Sequence, residues 1–237
     1  MTSNTYKRAS RFGYATFNGG ILMSKYTTVL FDFDYTLADS SDGIVRSMQY
    51  AFGKMGIPMP SEEAIRKTIG MSLEEAFVLL GATDDSATLK SLRELFVEEA
   101  GRVMCLSSNI YEDTLPTLTE LSDMGYNVGI VSAKDRTTIG NIARRGNFFA
   151  LVKLIIGEGE VNRQKPYPDQ LYAAAEHFKA AACDTVYVGD SISDALAAKN
   201  AGVDFIAVAT GATGKAELAA LPHVAVVDRL KDILKYV

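Results

Sequence analysis

Short apolar runs recur through the second half of the chain, at 127–132, 152–156, 185–188, 205–208 and 224–227, and another stands at 26–33. They are rich in β-branched and aromatic residues and too apolar to have a wet face, so they read as strands buried on both sides. Segments of helical length lie between them, at 114–124, 135–145, 169–180 and 194–201. This alternation predicts an α/β fold: a Rossmann-like, three-layer core in which a mostly parallel sheet is covered by helices on both faces.

Between the first strand and the next clear one the texture changes. Ile44, Met48, Ala51, Phe52 and Met55 repeat at three and four, as do Leu89, Leu92, Phe96, Ala100 and Val103, with no convincing strand. Gly56-Ile57-Pro58 stops one helix, Ser72 to Glu75 has the form of a capping box, and Gly81 ends the helix which that box begins. The expected organisation is a flexible tail at 1–24, a core built from 25–39 and 107–237, and an all-helical insert at 40–106.

The chain has 237 residues, 48% of them apolar, enough for one good core and a smaller satellite. A net charge of -5 supplies no basic field for nucleic acid or an acidic membrane surface. Cys105 and Cys183 lack metal or redox spacing, which fits a reduced cytoplasm. The first twenty residues contain no apolar stretch of the kind a secretory signal needs, and Met23 is an alternative start to Met1. Nothing approaches the roughly 18 consecutive apolar residues of a membrane span. A cytoplasmic protein without nucleic-acid or membrane partners is expected, as a monomer or homodimer.

Polar groups follow four of the apolar runs. Asp32 and Asp34 end the first, Ser132 closes the second, Lys165 lies in a Lys-Pro-Tyr-Pro stretch after the third, and Asp190 and Asp194 follow the fourth. In an open parallel sheet, ligands bind beyond the carboxyl ends of the strands. Singly, each group is an ordinary turn or cap residue. Crowded carboxylates, however, repel one another and lose hydration unless a cation is close.

This ordered set, Asp32-Phe33-Asp34-Tyr35-Thr36, then Ser132, then Lys165, then Gly189-Asp190 with Asp194, resembles the haloacid dehalogenase-like hydrolase superfamily. Within it the chain is similar to the phosphoglycolate phosphatase and β-phosphoglucomutase group, which inserts a helical cap after the first strand. The resemblance runs from about residue 26 to the C-terminus. It implies that Asp32 is a nucleophile forming an aspartyl-phosphate, and that Asp34 is the general acid and base. It assigns phosphate binding to Ser132, Ala133 and Lys165. Mg2+ would be held by Asp32, Asp190 and the backbone carbonyl of Asp34, with Thr36 and Asp194 in support, Asp194 orienting Lys165 or a metal-bound water.

Substrate choice falls, by the same resemblance, to the insert: Lys67, Gly70 and Met71 match a loop that closes on the leaving group, and Arg66 or Lys67 would meet a carboxylate or second phosphate. An even alternative is that Arg66 and Lys67 form a solvated helix face and Gly70 a helix C-cap. Tyr35 departs from the commoner Gly of the first motif and places a ring near the site mouth. The implied activity is a Mg2+-dependent phosphatase on a small phosphorylated metabolite, phosphoglycolate-like or a sugar phosphate. Alternatives are a β-phosphoglucomutase-type isomerase, against which Thr36 weighs, and a phospho-acceptor regulatory module, against which the length weighs.

Overall fold

The computed structural model describes residues 14–17, 20–23 and 25–237. An antiparallel pair, β1 (Tyr14–Phe17) and β2 (Gly20–Met23), falls within the stretch expected as a tail; the rest of 1–24 lies outside the described residues. Next come β3 (Thr28–Phe31) and the two-residue β4 (Ala38–Asp39). Four helices follow: α1 (Ser41–Met55), α2 (Glu62–Arg66), α3 (Leu73–Leu79) and α4 (Ser86–Ser107). The chain continues through β5 (Asn109–Ile110), α5 (Thr114–Asp123), β6 (Asn127–Val131), α6 (Arg136–Arg145) and β7 (Leu154–Ile156). It ends with α7 (Asp169–Phe178), β8 (Thr185–Gly189), α8 (Ile192–Ala201), β9 (Asp204–Val208), α9 (Lys215–Ala219) and β10 (Ala225–Val227). No helix among the described residues is long and apolar enough to cross a membrane.

Six strands form one parallel sheet in the order β10-β9-β8-β3-β6-β7. Successive residues of each strand point to opposite faces. Leu30, Val131 and Tyr187 therefore pack into one apolar layer with Leu171 and Ala198, while Val29, Phe31, Ile130 and Val188 pack into the other. The sheet is the middle of three layers, as the apolar runs predict. Strand order reverses at β3: the chain passes first to β6 and β7 on one side, then to β8, β9 and β10 on the other. Such a switch point opens a crevice at the carboxyl ends of the central strands.

The first strand is shorter than the run at 26–33. Asp32 N still bonds Val188 O at 2.8 Å, but the Phe33 carbonyl then collects the amides of Thr36, Leu37 and Ala38 in a tight turn. The helix expected from 194 begins instead at Ile192, because Ser191 caps it and Asp194, three residues in, completes a capping box. The cap signals read in the insert are present: Gly56 ends α1 in the left-handed region, and Ser72 and Glu75 form a capping box on α3.

The insert has its own aromatic centre. Phe77 lies between Phe52 and Phe96, with ring centroids 6.2 and 6.4 Å away, and it is wholly buried. Where the insert leaves and rejoins the core, β4 and β5 pair antiparallel, Ala38 opposite Ile110. Replacing a buried Phe by Ala removes its transfer energy and leaves a cavity. Phe77→Ala is expected to cost about 3–5 kcal/mol in urea unfolding; a loss under about 1 kcal/mol would show that this ring does not anchor the insert.

Candidate active site

Asp32, Ser132 and Asp190 each stand one residue beyond the end of a central strand or its last ladder bond, on β3, β6 and β8. All three are buried. Into this row the loop between β7 and α7 brings Lys165, whose Nζ lies 3.0 Å from Asp32 Oδ1 and 2.6 Å from Asp194 Oδ1. The contact with Asp32 is a buried ion pair.

Asp194 is differently committed. Its Oδ1 accepts from Lys165 and lies 2.9 Å from the Tyr187 hydroxyl, while its Oδ2 accepts from the Ser191 amide at 3.0 Å and hydroxyl at 2.5 Å. With both oxygens used, it orients Lys165. Gly189 makes this approach possible, since a Cβ there would sit 2.6 Å from the Asp194 carboxyl carbon. Ser132 is held from behind: buried Gln170 donates Nε2 to the carbonyls of Ser132 at 3.0 Å and Gly157 at 3.2 Å.

Burial dominates the electrostatics. It raises Asp32 to about 6, against the opposing pull of Lys165. It likewise raises Asp190 well above the ordinary carboxylate range, with Asp194 and Asp32 adding to the effect. Burial works against the Lys165 ammonium too, but Asp194 and Asp32 outweigh it and hold that lysine above its ordinary value.

One oxygen each of Asp32, Asp190 and Asp194 lies within 4.8 Å of the others. Because Asp194 is consumed by its hydrogen bonds, the carboxylates with lone pairs to offer a hard cation are Asp32 and Asp190. The donor set fits Mg2+, which takes one or two carboxylates and keeps waters. Asp190 itself accepts only weakly from Thr36 Oγ1, at 3.3 Å. Gly211 closes over it so tightly that a Cβ there would meet Asp190 Oδ2 at 1.7 Å.

The Asp34 carboxylate lies outside this cluster. Both its oxygens take Lys134 Nζ, at 2.9 and 3.0 Å, and Asp34 lines a cavity of about 480 Å3 between core and insert. Asp32, Ser132, Ala133, Lys134, Gly70 and Met71 line it as well. Gly70, at φ +96°, faces the Ser191 loop of the core. Lys67 is exposed at the C-cap of α2, paired with Glu63 one turn back, and is not part of the cavity wall. Arg66 is bound to Ser41 and to Asp42. Tyr35 sits at φ +60°, a conformation that disfavours any side chain by about 1–2 kcal/mol and suits the Gly of the commoner motif.

Residues 29–208 match the haloacid dehalogenase-like hydrolase family, so the chain belongs to it. It is 38% identical to a putative haloacid dehalogenase-like hydrolase of Bacteroides fragilis, whose crystal structure superposes with a TM-score of 0.85 over 88% of this chain and 100% of that one. It is 30% identical to pyrophosphatase PpaX of Bacillus mycoides, over 89% of this chain and 96% of the relative. It is 27% identical to the probable phosphatase IndB of Dickeya dadantii, over 87% and 91%.

Sequence reading missed Lys134, Gln170 and Gly211. Lys134 stands two residues beyond Ser132 and shares its loop, a signal that was available; nothing local marks the other two.

Because burial holds folded Asp32 above its ordinary value of 3.8, folding favours its protonated form, and stability is lost as pH rises from about 4 through about 6. In chelator, Asp32→Asn is therefore expected to be more stable than the native chain at about pH 7.5, by about 1–3 kcal/mol, with the advantage fading towards pH 4. Urea midpoints of both proteins across that range measure it, and a pH-independent difference would refute the burial argument.

Proposed function

We propose that this phosphatase is a Mg2+-dependent phosphoric monoester hydrolase, acting on a small phosphorylated metabolite through an aspartyl-phosphate on Asp32. The observation that carries this reading is the Asp32 carboxylate: buried, 3.0 Å from the Lys165 ammonium and on the wall of a cavity large enough for a small ester. A carboxylate so placed is desolvated and available for attack, and preorganised charge beside it is the largest expected contribution to phosphoryl transfer.

Asp32 attacks phosphorus and the ester oxygen departs. Asp34 gives that oxygen a proton, then takes one from the water that hydrolyses the aspartyl-phosphate and restores Asp32. A dianionic phosphate competes with Asp34 for the Lys134 ammonium. Lys165, fixed by Asp194, neutralises nucleophile and phosphate together, while the Ser132 hydroxyl donates to a phosphate oxygen. Asp32 and Asp190 would hold Mg2+, whose charge would screen the phosphate from the attacking carboxylate.

Phosphate release from a panel of small phosphate esters tests the reading. Turnover is expected with Mg2+, none in chelator, and Asp32→Asn should lower kcat by at least about 10^3-fold with the fold intact by circular dichroism. Undiminished turnover by Asp32→Asn overturns the nucleophile. Isomerised product without free phosphate would make the enzyme a phosphotransfer isomerase.

A further inference from the structure

We propose that the leaving group accepted by this site is uncharged: an alcohol that lays an apolar face against the helical insert, with neither a carboxylate nor a second phosphate. This rests on the phosphatase reading above and narrows its substrate class.

The insert's side of the cavity is apolar. Ile44 and Met48 from α1, Phe96 and Met104 from α4, and Ile69 and Leu73 between and beside the shorter helices form that wall. On the opposite side, α6 offers Thr137, Thr138 and Asn141, neutral groups suited to a hydroxyl or an ether oxygen.

Charge decides the matter further. Among the described residues that line the cavity, the cations are Lys134 and Arg93. Lys134 is held by Asp34 and lies next to the phosphate position. Arg93 of α4 gives both prongs of its guanidinium to Glu158, at 2.6 and 2.8 Å, and a further contact at 3.3 Å to Glu74. Glu158 belongs to the core loop after β7, so the pair also ties the rim of the insert to the core. A two-pronged pair of this kind is strong and directional, so an incoming anion would have to compete with Glu158 and Glu74 for Arg93.

Arg66 and Lys67, the cations that the sequence offered for a second anion, do not line the cavity; they pair with Asp42 and Glu63. A carboxylate or phosphate at the distal end would give up its hydration for the neutral donors of Thr137, Thr138 and Asn141, beside the Asp135 carboxylate and an arginine already paired with Glu158. The Bacillus mycoides relative is named for pyrophosphate; this chamber gives a second phosphate no unpaired cation.

Binding of two non-hydrolysable probes of matched length, propylphosphonate and phosphonoacetate, to the native full chain at fixed free Mg2+ separates the possibilities by calorimetry. Propylphosphonate is expected to bind at least about ten-fold more tightly. Equal affinities, or tighter binding of phosphonoacetate, overturn the proposal. Glu158→Gln, which releases Arg93, is expected to narrow the preference several-fold by improving phosphonoacetate; an unchanged ratio would show that the withheld Arg93 charge does not set it. Neither measurement needs turnover, so a chain that hydrolyses no ester would sink the phosphatase reading while this result still stands or falls by itself.

Discussion

A single buried ammonium governs the carboxyl edge of the sheet. Asp32, Asp190 and Asp194 all lie out of water within a few ångström of each other, and each would repel the next if ionised alone. Lys165 is the protein cation that lowers that cost, and several elements converge to hold it: the loop after β7 delivers it, β8 supplies Tyr187, and the first turn of α8 supplies Asp194. Its pairing explains how a parallel sheet tolerates acidic groups where its strands end. It also explains why one of those acids, Asp194, is an orienting residue.

Around that fixed point the labour is divided. The core provides rigid chemistry: strand ends joined by ladder bonds, Gln170 bracing the Ser132 loop from behind, and two glycines that let backbone press against carboxylates. The insert provides walls, and these are greasy where the core is charged. Asp34 and Lys134 occupy the border between the two regimes. Their mutual attraction keeps both in place at the cavity wall, in the position where an ester's phosphate would compete for the cation.

Most of this architecture was legible in the sequence because parallel strands buried on both faces leave an unmistakable apolar run, and because the polar group after each run stands at the sheet edge by construction. The helical texture of 40–106 was equally plain from its spacing and caps. What stayed hidden depends on contacts across long stretches of chain. Lys134 meets Asp34 one hundred positions away, and Arg93 meets Glu158 across sixty-five. Gly211 reveals its purpose only when Asp190 is seen under it. Tyr35 was noticed as a departure from Gly, yet the positive φ that makes it one is a property of the turn. Lys67 was open between a recognition residue and a solvated helix face; its pair with Glu63 one helical turn away makes it the second.

The short ladder between β4 and β5 gives the molecule a topological economy. Ala38 stands opposite Ile110, and the Tyr111 amide bonds the Leu37 carbonyl beside them, so the chain departs from the sheet and comes home at the same doorway. To the six strands, four helices amount to the tip of an ordinary hairpin. Closing a longer loop costs little more than closing a short one, so the excursion can lengthen, shrink or be exchanged for another while the catalytic edge beneath keeps its register. The insert is thereby free to diverge while the sheet edge that carries Asp32, Lys165 and Asp190 stays as it is.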